Sequence, residues 1–273
     1  MVLVFGKNGQ VAKSLSAFLP DAHFFSSLEA PFTEPQKILD ILDANKPTIV
    51  INAAAYTAVD KAETERDLAM QINATTPGVI AKWCAKNQAT LIHFSTDYVF
   101  DGTGEKPWVE TDTPNPINWY GQTKFEGEKL IQASGCISYI FRIAWVYCEW
   151  GTNFRNTIRR LACERKELKI VNDQWGSPTH AMDVARAVSE LVSMLTTTQA
   201  PTPGIYHLRF APYCTWYDFA KTLIEQARKE GLPIVLDTLL PIPSEGYQTP
   251  ARRPKNSRLD TLHSFSAIKL LRR

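Results

Sequence analysis

Apolar and polar positions follow two rhythms along this chain, a continuous or period-two pattern and a 3.6-residue one, and they take turns from the second residue onward. Residues 2–5, VLVF, are a short apolar run of the kind a buried strand shows, and Gly6-Lys7-Asn8-Gly9 reads as a tight turn. Val11, Leu15, Phe18 and Leu19 then mark one face of a helix that Pro20 stops. A second strand is expected over 22–25, a helix over Pro35–Asn45 with Ile38, Leu39, Ile41 and Leu42 inward, and a third strand over 48–52. One long helical stretch, 65–86, leads to a fourth strand, ATLIHFS, at 89–95. A helix carrying Tyr120 and Lys124 separates it from a fifth, ISYIFR, at 137–142. Strands spaced by helices of this length imply right-handed βαβ units and a parallel sheet. The expected fold class is therefore α/β, a Rossmann-type doubly wound parallel sheet that binds ligands at its strands' carboxyl ends.

Beyond Arg142 the pattern loosens. An aromatic-rich stretch precedes a helix over 153–165, and a strand, a loop and a helix follow, the last with Val184, Val188, Leu191, Val192 and Leu195 apolar. Residues 196–204 read as a surface loop, GIYHL (204–208) as a strand, and 215–231 as an amphipathic helix with a glycine stop. The tail, 240–260, is rich in proline and is expected to hold little regular structure. The division implied is a dinucleotide-binding part, 1–142, and a smaller substrate-binding part, 143–273, that closes over it, some of whose segments return to the sheet.

Composition narrows the class. The 273 residues are 44% hydrophobic, enough for one large or two modest cores, and the net charge of +2 is too small and dispersed for a nucleic-acid partner. The opening apolar run is too short for a signal peptide, and no apolar segment approaches the ~20 residues of a membrane span. Five scattered cysteines without C-x-x-C spacing favour reduced thiols and a cytoplasmic setting, with no zinc or other metal site.

Three features carry chemistry. Gly6-x-x-Gly9-x-x-Ala12 follows the first strand and opens a helix, where glycines admit a pyrophosphate close to backbone N–H groups. The acidic residue expected ~20 positions on to hold the adenosine ribose is missing from the tip of the second strand. Phe25-Ser26-Ser27 stands there, with Glu29 slightly beyond. Lys7 in the turn faces a 2′-phosphate instead, a lean toward NADPH with NADH as the alternative, and Phe32 is a candidate for the adenine pocket. Finally, a strand ending in Ser95-Thr96 precedes Tyr120 and Lys124, one turn apart on a helix. A free tyrosine titrates near 10, and an ammonium one turn away, with the positive nicotinamide ring, is expected to lower that value. The same lysine can hold the nicotinamide ribose, and a hydroxyl at the strand end can orient a substrate carbonyl. Tyr217 and Lys221 repeat the spacing but lack the preceding hydroxyl strand, and Tyr217 is expected to serve packing.

The hydroxyl strand followed by Tyr and Lys resembles the proton donor of short-chain dehydrogenase/reductases. Longer stretches are similar to the dTDP-4-dehydrorhamnose reductase family within that group: GKNGQVA (6–12), INAAAYTAVDKAE (51–63), STDYVFDG (95–102), PWVETD (107–112), YGQTKFEGEK (120–129), FRIAWVY (141–147), NDQWGSPT (172–179) and ARRPKNSRL (251–259). The resemblance implies a reduction of the C4 keto group of dTDP-4-dehydro-L-rhamnose by NADPH. It implies Thr96 rather than Ser95 as the catalytic hydroxyl, which strand alternation leaves open, with Tyr120 and Lys124 as the catalytic pair. Cofactor contacts would fall on Gly6, Lys7, Asn8, Gly9, Gln10, Val11, Ala54, Ala55, Tyr120 and Lys124. Substrate contacts would fall on Val59, Asp60, Asp97, Tyr98, Trp145 and Asn153. Trp145 and Tyr98 offer flat faces to a deoxysugar, and Arg252 with Arg253 could clamp a diphosphate bidentately.

Two departures from the family are visible. The chain ends at Arg273, where relatives continue into a further helix, so closure over the substrate is expected to be weaker. Residues 12–15 hold no carboxylate, so the metal-bridged dimer of some relatives is not expected, which leaves a monomer or a simple homodimer. Two other functions compete. A dehydratase or epimerase on the same scaffold retains NAD, and a dehydratase would need Asp-Glu after the threonine, where Asp97-Tyr98 stands. A non-catalytic subunit similar to the regulatory subunit of methionine adenosyltransferase would need no turnover at all.

Overall fold

The computed structural model describes residues 1–197 and 200–260. In chain order the first half runs β1 (Val2–Phe5), α1 (Gln10–Leu15), β2 (His23–Phe25), α2 (Pro35–Asn45), β3 (Ile49–Asn52), α3 (Val59–Ala62), α4 (Arg66–Met70), α5 (Thr76–Asn87), β4 (Thr90–Thr96), α6 (Trp119–Ala133) and β5 (Ser138–Ile143). The second half runs β6 (Val146–Tyr147), α7 (Phe154–Glu164), β7 (Glu167–Val171), β8 (Trp175–Gly176), β9 (Thr179–His180), α8 (Ala181–Leu195), β10 (Gly204–Leu208), β11 (Cys214–Thr215), α9 (Trp216–Lys229) and β12 (Thr238–Ile242). Six parallel strands form the central sheet in the order β10-β5-β4-β3-β1-β2. This is the α/β class the periodicity predicts. The order reverses between β1 and β3, which leaves a crevice at their carboxyl ends.

The strands read as continuous apolar runs because both faces of the sheet are covered. On one face Val4, Ile51, Ile92 and Phe141 pack with Leu15 of α1 and with Val184, Val188 and Leu191 of α8. On the other, Leu3, Phe5, Val50 and Leu91 pack with Ile38 and Leu42 of α2, Ile80 and Trp83 of α5, and Ile131 of α6. A separate cluster joins Ile158 and Ala162 of α7, Leu168 of β7, and Phe219, Leu223 and Ile224 of α9. The nucleotide-type sheet thus takes α8 and β10 from beyond residue 142, and α7, α9, β7 and β12 build the smaller body.

Two local readings differ from the structure. The helix expected over 65–86 is interrupted by a π-helical turn at Gln71–Thr75. There the Asn73 side chain donates to the Tyr56 carbonyl (3.0 Å) and to Thr123 (3.0 Å) and accepts from the Tyr56 N–H (2.8 Å), tying the helix to the loop after β3. The proline-rich tail also contains a strand, β12, paired in parallel with β7. It tolerates Pro241 because it lies at the edge of a two-stranded sheet, where a missing N–H costs no ladder bond if that side faces solvent. The expectation drawn from the end of the chain concerns residues 261–273, which lie outside the described residues.

Candidate active site

The turn after β1 needs glycine at its first position. Gly6 has φ +92°, and a methyl carbon there would stand 2.6 Å from the Ala53 carbonyl carbon and the Ala54 nitrogen. The Gly6 and Lys7 N–H groups donate to the Phe25 carbonyl at 3.0 and 3.1 Å, which ties the turn to β2. Gly9 caps α1 without any side-chain acceptor and the first turn carries no acidic residue, so the helix opens on backbone N–H groups alone. Lys7 and Asn8 are exposed; Gln10 and Val11 are half-buried beside them, as are Ala54 and Ala55 at the end of β3. Glu29 accepts from the Ser26 N–H at 2.8 Å and the Ser26 hydroxyl at 2.7 Å, both through Oε2, and these bonds hold it below the usual carboxylate range. Phe32 is 6% exposed and edge-on to Phe5 at 5.5 Å, in the core cluster against which Ala54 also packs.

β4 delivers Ser95 and Thr96 to one end of the sheet, and they part company there. Ser95 donates to Glu128 of α6, which also holds Arg142 of β5 through two bonds of 2.9 and 2.7 Å, all three buried. Thr96 donates to Asp97 Oδ1 (3.0 Å) and accepts from the Tyr98 N–H (3.1 Å). Asn118 caps α6 by accepting from the Gly121 N–H at 2.8 Å. A methyl carbon at Gly121 would lie 2.1 Å from the Tyr98 carbonyl oxygen, so only glycine lets the first turn of α6 close on the 97–99 turn. That closure puts the Tyr98 ring edge-on to Tyr120, centroids 5.8 Å apart, two residues along the chain from Thr96. Lys124, 2% exposed, donates to the Phe94 carbonyl at 2.6 Å and lies 3.3 Å from His93 Nε2.

The electrostatics differ from the expectation. Burial pushes the Tyr120 phenol well above its ordinary value and the Asp97 carboxylate adds to this, while the Thr96 hydroxyl opposes both. Burial likewise pushes the Lys124 amine down to about 8, against the pull of Glu128. In the protein alone, then, desolvation governs the phenol, and the expected lowering by Lys124 does not appear. Asp97 is raised to about 6 by burial, despite the hydrogen bond from Thr96.

A stability consequence follows from that raised value. The unfolded carboxyl titrates near 3.8, so the folded chain holds the Asp97 proton more tightly and loses stability as pH rises from about 4 to about 6. Asp97→Asn is expected to be more stable than the natural chain at pH 7 by roughly 2–3 kcal/mol, with little difference at pH 4. Urea midpoints at the two pH values check this, and equal midpoints at pH 7 would count against a buried, ionised Asp97.

The remaining expected contacts are distributed as follows. Asp60, beside half-buried Val59, accepts from Arg253 Nη2 (2.8 Å) and the Ala251 N–H (3.1 Å). Burial works against the Asp60 charge, yet these bonds hold its carboxyl below the usual range. Two residues expected to meet the substrate thus meet each other; Arg252 is exposed. Trp145 takes a left-handed backbone (φ 51°), and one indole face is covered by Trp216, centroids 3.5 Å apart. Asn153 is fully engaged: it caps α7 by accepting from Asn156 N–H (3.0 Å) and donates to Gln10 Oε1 (2.9 Å) and the Cys148 carbonyl (3.0 Å). Tyr217 points its hydroxyl at the Leu239 carbonyl, 3.5 Å away, in a small cavity with Lys221 and Arg228. Asn52, His93 and Glu128 were not singled out by the sequence; for Asn52 and His93 the signal available was a polar residue in a buried strand run that is otherwise largely apolar, whereas Glu128 sits in a mixed polar helix with no such signal. Among the described residues no group of three or more His, Cys, Asp or Glu could hold a metal ion, and no helix is long and apolar enough to cross a membrane.

Comparison with known proteins adds a further set of facts. Residues 1–271 match the family described as the RmlD substrate binding domain. The chain is 43% identical over 268 residues to the dTDP-4-dehydrorhamnose reductase of Escherichia coli (strain K12), covering 95% of this chain and 89% of that one. Among solved structures it resembles the dTDP-4-dehydrorhamnose reductase of Bacillus anthracis str. Ames in complex with NADP. That pair is 34% identical with a TM-score of 0.87, over 96% of this chain and 90% of the other. The Clostridium acetobutylicum ATCC 824 reductase is also 34% identical with a TM-score of 0.87, over 98% and 93%.

Proposed function

The chain belongs to the RmlD substrate binding domain family, and from that membership we propose that it is a dTDP-4-dehydrorhamnose reductase, an NADPH-dependent oxidoreductase that reduces the C4 keto group of dTDP-4-dehydro-L-rhamnose. The observation that carries the reading is the closure of the first turn of α6 on the turn after β4, which sets Tyr120 against Tyr98, two residues past Thr96, with Lys124 one helical turn further on.

The residues present fit the cofactor. Gly9 is exposed at the start of α1, and α1 opens without a side-chain cap over its first N–H groups. Exposed Lys7 suits a 2′-phosphate, which favours NADPH over NADH. Gly6, Lys7, Asn8, Gly9, Gln10 and Val11 would hold the cofactor's phosphates and adenosine side, Ala54 and Ala55 its middle, and Lys124 its second ribose. When bound, NADPH supplies the hydride. Tyr120 gives its phenolic proton to the carbonyl oxygen, and the Thr96 hydroxyl holds that oxygen in place. Lys124, once charged, draws the phenol toward ionisation and offsets the burial that otherwise keeps the proton on it. Asp97, Tyr98, Trp145 and the Asp60–Arg253 pair would surround the nucleotide sugar, Arg253 leaving Asp60 for a diphosphate oxygen.

Residues 1–142 with α8 and β10 would form the cofactor part, and the body of α7, α9, β7 and β12 would close on the substrate. The free cysteines support a cytoplasmic setting, and the lack of a carboxylate at 12–15 supports a monomer or homodimer without a metal bridge. The test is NADPH absorbance with dTDP-4-dehydro-L-rhamnose generated in place, and NADH in parallel. Turnover faster with NADPH is expected; no turnover with either cofactor would refute the proposal.

A further inference from the structure

Asn52 and His93 are register partners on neighbouring strands, exposed by 1% and 0% respectively, and belong to no expected contact. The hydrogen bonds around them have a direction that can be read from the outer end. The Ala54 backbone N–H is only a donor, and it meets Asn52 Oδ1 at 3.1 Å. Asn52 therefore turns its NH2 group to His93 Nδ1, 3.0 Å away. An amide NH2 cannot accept, so Nδ1 is the acceptor and carries no proton. Burial pushes the His93 ring well below its ordinary value, which keeps it neutral, so its single proton sits on Nε2. Nε2 faces Lys124 Nζ at 3.3 Å, and Nζ also donates to the Phe94 carbonyl. An ammonium has three donors and no acceptor; a neutral amine has a lone pair for the Nε2–H.

We propose that His93 is a positioning residue for the reduction: oriented by Asn52 from the Ala54 turn, its Nε2–H holds the Lys124 amine in place and opposes its protonation. Lys124 then becomes fully charged only by giving up the His93 bond, which ties the charge that activates Tyr120 to the turn where Ala54 would meet the cofactor. This deepens the reductase reading and rests on it for the identity of the site. The other charges bearing on Lys124 are few. Glu128, one turn along α6, favours the ammonium but is shared with Arg142 of β5. Tyr120 lies one turn before it on α6, and β3 presents the uncharged Asn52 amide.

The direct test is nitrogen NMR of the cofactor-free chain, labelled in histidine and lysine. His93 is expected as the Nε2–H form, with the Lys124 amine titrating near 8. His93→Phe keeps the ring and loses both hydrogen bonds, so the Lys124 midpoint and the alkaline limb of kcat should move up by about one pH unit, the scale of one hydrogen bond. His93→Gln retains a donor and an acceptor without titrating, and should restore the natural profile. A proton on Nδ1 in the natural chain, or an unmoved Lys124 midpoint in His93→Phe, overturns the proposal; should that variant not fold, the tautomer of the natural chain decides alone. A chain with the expected tautomer but no NADPH oxidation would instead sink the reductase reading.

Discussion

Tyr120→Phe is expected to lower kcat by about 10³-fold or more, the scale of a lost general acid, and to leave NADPH affinity within a factor of about two. The ring of the variant still fills the space beside Tyr98, whose edge-on contact involves the ring and not the hydroxyl. What goes is the proton that burial and Asp97 hold on the phenol. Steady-state rates together with cofactor titration by fluorescence separate the two effects. A variant that retained a tenth or more of the natural rate would place the proton donor elsewhere, with Asp97, raised to about 6 by burial, as the next group to examine.

The largest expected effect on stability lies below the site. Glu128 is fully buried and is the acceptor for Ser95 and for Arg142, whose guanidinium is 5.0 Å from the centre of the Phe100 ring. Glu128→Leu leaves Arg142 charged, buried and without its carboxylate, and should cost about 3–5 kcal/mol of unfolding free energy. The double change Glu128→Leu, Arg142→Met replaces the pair with apolar groups and should recover most of that loss. Urea denaturation of the two variants checks both statements. A single variant destabilised by less than about 1 kcal/mol would mean that the pair is exposed to water in solution. Because Glu128 stands one turn beyond Lys124 on α6, the single variant should also lose activity as the helix shifts.

Much of the scaffold was legible because its strands are short, continuous apolar runs punctuated by glycine, proline or a cap. The Pro35–Asn45 helix and the GIYHL strand fall where the pattern places them. β12 was hidden because proline argues against a strand unless the strand lies at an edge, and edge position is a property of the assembled sheet. The π turn at Gln71–Thr75 was hidden for a similar reason: Asn73 is drawn to Tyr56 and Thr123, contacts that only the fold creates. In the site, the Tyr120–Lys124 pair was legible from spacing and context, whereas choosing Thr96 over Ser95 needed the family likeness. In the structure Ser95 donates to buried Glu128, and Thr96 donates to Asp97 at the turn after β4. Spacing could not foretell that Lys124 would rest against His93, because that contact depends on the register of two strands and a helix.

The central claim is that this site passes a hydride to the C4 carbon of a keto-sugar nucleotide while Tyr120 supplies the proton. Its most direct test uses NADPH carrying deuterium at the transferred position of the nicotinamide, with dTDP-4-dehydro-L-rhamnose as acceptor and proton NMR of the sugar product as readout. The account predicts one deuterium at C4 of the product, in one configuration, with none elsewhere on the ring. Product without deuterium at C4, or label scrambled between C4 and other positions, would contradict it.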